Sequence, residues 1–398
     1  MSDNTRYRAS PAQADVWLAD TLAGDAPPST MRLAVHAPIT LSAAAVAGAA
    51  RRLADRHAIL GSRLVFDEEG LWVHPGSFTV TVDDLSGARD DTPARRAMLG
   101  PGEPWHVWLR DPDTAGDGST VVLAFDHAYV DGESVGILVR DFVADCGRLE
   151  AGLPLPPVVA GPDYRHYARE MHRLDRHPDE ASASYWRSAR LESGHRTTEG
   201  ARPPGTWPTQ RAHLDGAALR EVRRWAGTAG VTLFGAVLAT AARVVSDCVA
   251  GPLVISVPVS QRGDGRFTDT VGLCTELCPL RVEKVPAPFA DFAHGLFLDL
   301  LRAVDHLLPL AAVRRLRGTA GGTARGDRLD SVTVTMVDAI DGSGGWPVRS
   351  MDDDNAGRDL AIVVVQGPDG LTVVARSGHR VFGEAPIADR IVSMLERL

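Results

Sequence analysis

Three side chains able to do chemistry fall close together in "AFDHAYVDGES" (124–134): His127, Asp131 and Ser134, with Gly132 between the last two. An imidazole that is neutral near physiological pH can take a proton from an attacking amine, hydroxyl or thiol. Asp131 lies near enough along the chain to fold beneath the same loop. Buried there it needs a cationic partner, because an unpaired interior carboxylate costs several kcal/mol. Gly132 permits a positive φ where the chain turns into a helix. The rival pattern is "GESVG", which fits the G-x-S-x-G nucleophile elbow. An elbow needs an apolar strand running into its first glycine, and His-Ala-Tyr-Val-Asp puts polar groups there instead. Ser134 also stands where a helix N-cap is wanted. In a third reading His127 and Asp131 only satisfy backbone groups in a turn. On these residues alone the three readings stay open.

The loop is positioned by what flanks it. "STVVLAF" reads as a strand ending near Phe125, and "SVGILVRDFVADCG" (134–147) reads as a helix stopped at Gly147. "PWHVWLR" alternates, placing Trp105, Val107 and Leu109 on one face, and pairs with that strand. Upstream, "SAAAVAGAARRLADRHAIL" (42–60) is an amphipathic helix with Ser42 as N-cap, and "SRLVFDEEGLWVHPG" is a hairpin. Pro-rich "GLPLPPVVAGP" (152–162) marks a boundary, so the expected domains are 1–160 and 161–398. After it come polar helices through "DYRHYAREMHRLDRHPDEASASYWRSARL" and two helices over 215–247 broken at "GTAGVT". The strands "GPLVISVPVSQR" and "VGLCTELCPLRV" follow, then the helix "PFADFAHGLFLDLLRAV". The strands "LDSVTVTMVDA" and "DLAIVVVQGPDGLTVVARSG" precede a closing helix. Both halves mix helices and strands without regular alternation, which predicts two mixed α/β lobes rather than a barrel or a doubly wound sheet.

At 398 residues the chain exceeds what one core usually supports. A formal charge of −9 argues against nucleic acid as the main partner. No long apolar run is present to span a membrane, and "MSDNTRYRASPAQ" lacks the apolar core of a secretory signal. Four cysteines do not make a disulfide framework in a chain this long. Cys274 and Cys278 in "CTELC" have no partner pair at zinc-site spacing, so they read as structural thiols in a reducing cytoplasm. No metal is expected. Nearly every basic residue is arginine, Lys284 being the only lysine. The arginine-rich stretch 311–330 reads as a solvated loop, or alternatively as a contact for an acidic partner or a phosphate.

"AFDHAYVDGES" resembles the HHxxxDG motif of nonribosomal peptide synthetase condensation domains, and the HxxxDG of the wider chloramphenicol-acetyltransferase-like acyltransferases. The resemblance extends in order along nearly the whole chain. "ASPAQADVWLAD" resembles the family's opening S-x-A-Q-x-x-x-W, and "RHAILGSRLVF" its R-H-x-x-L-R-T-x-F. "DYRHYAREM" with "YW" resembles the bridging helical segment. "VISVPVSQRGDGRFTDTVGLCTELCPLRV" and "HRVFGEAPIADRIVSMLERL" resemble the later strands and the terminal helix. The resemblance implies two chloramphenicol-acetyltransferase-like lobes in a V with an active-site tunnel between them. It implies an acyl donor held as a thioester on the phosphopantetheine of an acyl or peptidyl carrier protein, or on coenzyme A, with no permanently bound cofactor. The acceptor is a small-molecule amine or hydroxyl. His127 matches the functional histidine, Asp131 the structural aspartate that pairs with Arg262, and Gly132 the glycine at the helix start.

Departures from the pattern are Asp126 in place of the first histidine, Gly61 in place of an arginine, and Glu276-Leu277 in place of an N-T pair. Asp126, Tyr129 and Glu276 are the expected substrate contacts. Glu276 either selects a cationic acceptor or faces solvent. The leading expectation is a free-standing condensation-like acyltransferase of natural-product and antibiotic biosynthesis. The alternatives are a non-catalytic recruiter of a carrier protein or partner enzyme, and a serine hydrolase acting through Ser134.

Overall fold

Five apolar residues in a row, Val121 to Phe125, leave no polar face for water, so their strand must be covered on both sides. The computed structural model bears this out: all five are fully buried. It describes residues 5–22, 29–85, 99–100, 102–110, 118–191, 208–263, 265–283, 288–318, 329–340, 345–351, 358–383 and 385–398.

The chain forms two compact units. The first comprises Met1–Arg173, Ser260–Thr275 and Ile340–Asn355, and the second Leu174–Val259, Glu276–Ala339 and Ala356–Leu398. In chain order the strands are β1 (Tyr7–Arg8), β2 (Thr30–His36), β3 (Arg63–Asp67), β4 (Gly70–His74), β5 (Val82–Asp84), β6 (Trp105–Arg110), β7 (Thr120–Asp126), β8 (Thr209–Asp215), β9 (Leu253–Ser260), β10 (Thr275–Val282), β11 (Val332–Asp338), β12 (Val348–Ser350), β13 (Leu360–Gly367) and β14 (Gly370–Ser377). The helices used below are α1 (Pro11–Leu22), α2 (Ala43–Arg56), α3 (Gly132–Glu150), α4 (Tyr164–Arg176), α5 (Glu180–Ser188), α6 (Gly216–Thr228), α7 (Leu233–Ser246) and α8 (Phe289–Asp305).

In the first unit a five-stranded sheet runs β12-β2-β7-β6-β5, and a three-stranded one runs β1-β4-β3. β7 pairs antiparallel with β2 and with β6, and Trp105 stacks on Phe125 at 5.7 Å. Helices α2 and α3 are tied by charge: Arg56 reaches Asp141 at 3.0 Å, and Arg52 and Arg56 share Asp145 at 3.1 and 3.2 Å. Ser42 caps α2 as expected, but α3 begins at Gly132 and passes through Gly147 to Glu150. A helix interior tolerates a glycine at modest cost when packing holds both sides.

The second unit is built on a six-stranded mixed sheet, β10-β9-β11-β13-β14-β8. α7 is apolar nearly all round and almost wholly buried in its core. The expected break between α6 and α7 is a Schellman turn: Val231 N–H reaches Ala226 O at 2.9 Å, and Gly230 N–H reaches Gly227 O at 3.3 Å. Gly230 adopts φ 69°, which lets α7 leave at 96° to α6. Among the described residues no single helix is long and apolar enough to cross a membrane.

Domains split at residue 160 would give each lobe one continuous segment, whereas the compact units are discontinuous. β12 returns to pair with β2, and the segment carrying Arg262 packs in the first unit although it lies between two strands of the second unit's sheet. Backbone pairing and buried charge act over distances along the chain that local composition does not report. Gly230→Ala places a side chain in the left-handed region and is expected to cost about 1–2 kcal/mol. A urea titration should show the midpoint falling with the slope unchanged; an unaltered midpoint would show that the turn relaxes freely.

Candidate functional site

The central strand delivers the histidine. Asp126 N–H still bonds Pro104 O at 2.9 Å, and His127 N–H bonds Ser29 O at 2.7 Å, so the ring emerges just past the last rung of the β2/β7 ladder. Beyond it the backbone folds into an Asx turn: Asp126 Oδ1 accepts Ala128 N–H at 2.7 Å, and Asp126 O accepts Tyr129 N–H at 2.9 Å. His127 Nδ1 lies 2.8 Å from Val130 O. A carbonyl oxygen only accepts, so Nδ1 donates, and in the neutral ring Nε2 is the nitrogen that keeps its lone pair. That tautomer is the one a general base needs.

Asp131 is buried and accepts six hydrogen bonds. Its Oδ1 takes Ser134 N–H (2.9 Å), Ser134 Oγ (2.8 Å) and Arg262 Nη2 (3.0 Å). Its Oδ2 takes Arg262 Nη1 (2.8 Å), Cys274 N–H (2.9 Å) and Thr275 Oγ1 (3.1 Å). Arg262 is buried too, and also donates to Thr270 O at 3.2 and 2.9 Å and to Ser134 Oγ at 2.8 Å. Burial works against the guanidinium's charge, but the hydrogen bonds and charge of Asp131 outweigh it and hold the arginine more firmly protonated. Aspartate and arginine thus stand in the contact expected of them.

Two expectations at the helix start are corrected. The N-cap is Asp131, not Ser134: Asp131 is extended (φ −115°) and its carboxylate takes the N–H of Ser134, three residues on. Because that extended residue makes the turn, Gly132 needs no positive φ and is simply the first helical residue. It is exposed, and an added Cβ there would meet nothing within 4 Å. Ser134 is buried, with its Oγ among Asp131, Arg262 Nη2 (2.8 Å) and Gly272 N–H (3.0 Å). None of these is a histidine that could take the serine's proton. The nucleophile-elbow geometry is absent.

The loop is also braced from residues whose role sequence reasoning missed. Ser10 and Gln13 form a reciprocal capping box on α1, Ser10 N–H to Gln13 Oε1 at 3.0 Å and Gln13 N–H to Ser10 Oγ at 3.2 Å. Pro11 occupies the first helical position. The box leaves Gln13 Nε2 to bond Ala128 O at 2.9 Å, inside the histidine loop. Ser10 Oγ also meets Tyr164 OH at 2.9 Å, and that hydroxyl donates to Leu273 O at 2.9 Å. Gly272 lies so close to the Tyr164 ring that any Cβ would collide with it. The signal was legible as S-P-A-Q, a helix-start pattern, without revealing what the glutamine's spare donors reach.

Of the three expected substrate contacts, Tyr129 has its hydroxyl engaged within the protein. It is fully buried, its OH donating to Gly102 O (2.9 Å) and accepting Leu64 N–H (2.6 Å). Its ring points into the core because the loop's only large apolar side chains must leave water. Glu276 does not face solvent: it is buried, and it belongs to the second unit. Asp126 stays beside His127 and partly accessible. Burial, helped by the charge of Asp20 and opposed by the Ala128 N–H, pushes its carboxyl up to about 7. At Gly61 an added Cβ would come no closer than 3.9 Å to its surroundings, so no steric need fixes that glycine. In the arginine-rich stretch, Arg315 pairs with Asp175 (3.0 Å) and Arg314 with Asp330 (3.7 Å), while 319–328 lie outside the described residues. Among the described residues no group of three or more His, Cys, Asp or Glu side chains is placed to hold a metal, and Cys146, Cys248, Cys274 and Cys278 are free thiols.

Residues 113–319 match the Condensation domain family. No curated protein matches the chain in sequence. The fold is similar to the X-domain in the complex of the X-domain and OxyB from teicoplanin biosynthesis (TM-score 0.79, 18% identity, covering 100% of this chain and 94% of that one). It is similar to the first condensation domain of the calcium-dependent antibiotic synthetase in complex with a substrate analogue (TM-score 0.76, 21% identity, 99% and 96% covered). The SgcC5 protein from Streptomyces globisporus is a third such structure (TM-score 0.78, 16% identity, 98% and 99% covered).

Two measurements test this electrostatic description. Asp131→Ala leaves Arg262 buried without its counter-ion and is expected to lower stability by about 3–5 kcal/mol; a variant melting like the parent would mean that the pair is not a tie. Asp126 binds its proton more tightly folded than unfolded, so its contribution is fully present below the unfolded carboxylate range and is lost as pH rises towards 7. Asp126→Asn should therefore gain stability relative to the parent between pH 4 and pH 7, read by chemical denaturation across that window. Parallel curves for the two proteins would rule out an elevated Asp126.

Proposed function

This chain belongs to the condensation-domain family, and from that premise we propose that it is an acyltransferase of natural-product biosynthesis. Its reaction is attack of an amine or hydroxyl acceptor on an acyl thioester, giving an amide or an ester. The donor is carried on the phosphopantetheine of an acyl or peptidyl carrier protein, or on coenzyme A. The observation that carries the reading is the Nδ1 contact of His127 with Val130 O, which frees Nε2 as the acceptor of a proton. As the acceptor's nitrogen or oxygen bonds to the thioester carbon, its proton passes to Nε2. The tetrahedral oxyanion then collapses, the carbon–sulfur bond breaks, and the imidazolium returns the proton to the thiolate. Gly132, exposed at the positive end of α3 and free of neighbours where a Cβ would be, offers its backbone to the developing oxyanion. The reading sets the chain in the cytoplasm, where its thiols stay reduced.

A second reading, a recruitment module that binds a carrier protein or partner enzyme without turnover, is favoured by one observation. Asp126 stands where condensation domains carry their first histidine, so the entry to the loop is acidic. His127→Ala separates the two. Under the acyltransferase reading it lowers product formation by about 100-fold or more, the scale of a positioned proton acceptor, with the unfolding midpoint kept. Mass spectrometry of loaded carrier or coenzyme A thioester with an amine acceptor reads it. Full turnover by the variant would sink the base role. Absence of product from the parent, with carrier binding intact in both proteins, would establish the recruiter.

A further inference from the structure

We infer that Asp20 is a positioning residue for His127, acting through Ser29, and that its carboxylate is one of the charges the imidazole meets when it takes up a proton. Asp20 lies near the end of α1, partly buried. Its Oδ2 accepts Ser29 N–H at 3.0 Å and its Oδ1 accepts Ser29 Oγ–H at 2.9 Å. Ser29 O in turn accepts the His127 N–H at 2.7 Å. Thr30 pairs with Asp126 in the β2/β7 register, so Ser29 and His127 form the next rung. The carboxylate therefore clamps the open end of the ladder from which the histidine emerges.

α1 makes this clamp a double one. Gln13 and Asp20 are seven residues apart, which puts them on one helical face about 10 Å along the axis. One holds Ala128 O on the far side of His127, and the other holds Ser29 on the near side. The histidine backbone is thus gripped before and after the ring by a single rigid element.

The charged groups of the histidine loop, the helix start and α1 have different duties. From its own loop come Asp126 and Asp131, with Arg262 and Glu133 at the helix start, and from α1 comes Asp20. Asp131 is committed to Arg262. Burial raises the Asp20 carboxyl, Ser29's two bonds and the charge of His127 lower it, and Asp20 in turn raises Asp126. Asp20 is thereby placed to answer an imidazolium without contacting the acceptor.

The inference rests on His127 being the proton acceptor, yet its test does not require turnover. In the full chain with ring-labelled histidine, the His127 resonance is identified by its loss in His127→Gln. Asp20→Asn should move the His127 titration midpoint downward from the parent's, because the charge interaction between the two groups is reciprocal. Asp215→Asn, which removes a cap in the second unit, should leave it in place. Hydrogen exchange at the His127 amide should speed up several-fold in Asp20→Asn and in Ser29→Ala. A midpoint and an exchange rate both equal to the parent's overturn the inference. Should Asp20→Asn not fold, Ser29→Ala decides by its exchange rate, parental exchange counting against the clamp. A His127→Ala protein with full turnover would defeat the base role while leaving these readouts untouched, so the two failures are distinguishable.

Discussion

The first unit depends on one buried ion pair. Removing a carboxylate and a guanidinium from water costs several kcal/mol each, and only close contact with filled hydrogen-bonding capacity offsets that cost. Asp131 and Arg262 meet both conditions: two nitrogens face two oxygens at 2.8 and 3.0 Å, and Ser134, Cys274 and Thr275 complete the carboxylate. A planar fork suits this geometry as an ammonium does not. The consequence is topological. A segment lying in sequence between two strands of another unit's sheet is fastened to the start of α3, one turn from the histidine loop.

A second layer of constraint comes from α1. Ser10, Gln13 and Asp20 span its length, and each bonds a group outside the helix: Tyr164, Ala128 and Ser29. Tyr164 then reaches Leu273 in the segment that also carries Arg262. Motif fragments far apart in sequence meet here as one hydrogen-bonded frame.

What was legible in the sequence follows from the range of each interaction. The strand, the loop and the helix around His127 are dictated by an apolar run, polar turn residues and a helical period, all local. The Asp131–Arg262 contact was legible only through the order of distant motifs, since no local rule links residues that far apart. The errors share a cause. Asp131 and Ser134 are both good caps by residue type, and only the extended backbone at Asp131 decides between them. Tyr129 reads as a polar loop residue until Gly102 and Leu64 arrive to satisfy its hydroxyl in the interior. For Glu276 the sequence leaves open solvent or an acceptor contact, because a sequence does not say which strand positions tertiary packing will cover. The mixed α/β class was legible because it needs only the succession of elements, whereas the discontinuous units needed pairings such as β12 with β2.

On the proposed reading of His127 as a base, the carboxylates of Asp20, Asp126 and Asp131 must lie in its loop and on α1 without holding the ring charged. A base must be neutral when the acceptor arrives and charged after the proton moves. A bare carboxylate in direct contact would favour the charged form throughout and blunt the base. Asp131 avoids this because Arg262 neutralises it and its oxygens are filled. Asp126 avoids it by burial and by the charge of Asp20, which push its carboxyl up to about 7. Asp20 remains one step removed, behind Ser29. Asp20 is thus the carboxylate whose charge acts on both His127 and Asp126. The replacement of a histidine by Asp126 is, on this argument, a change in how the site answers charge.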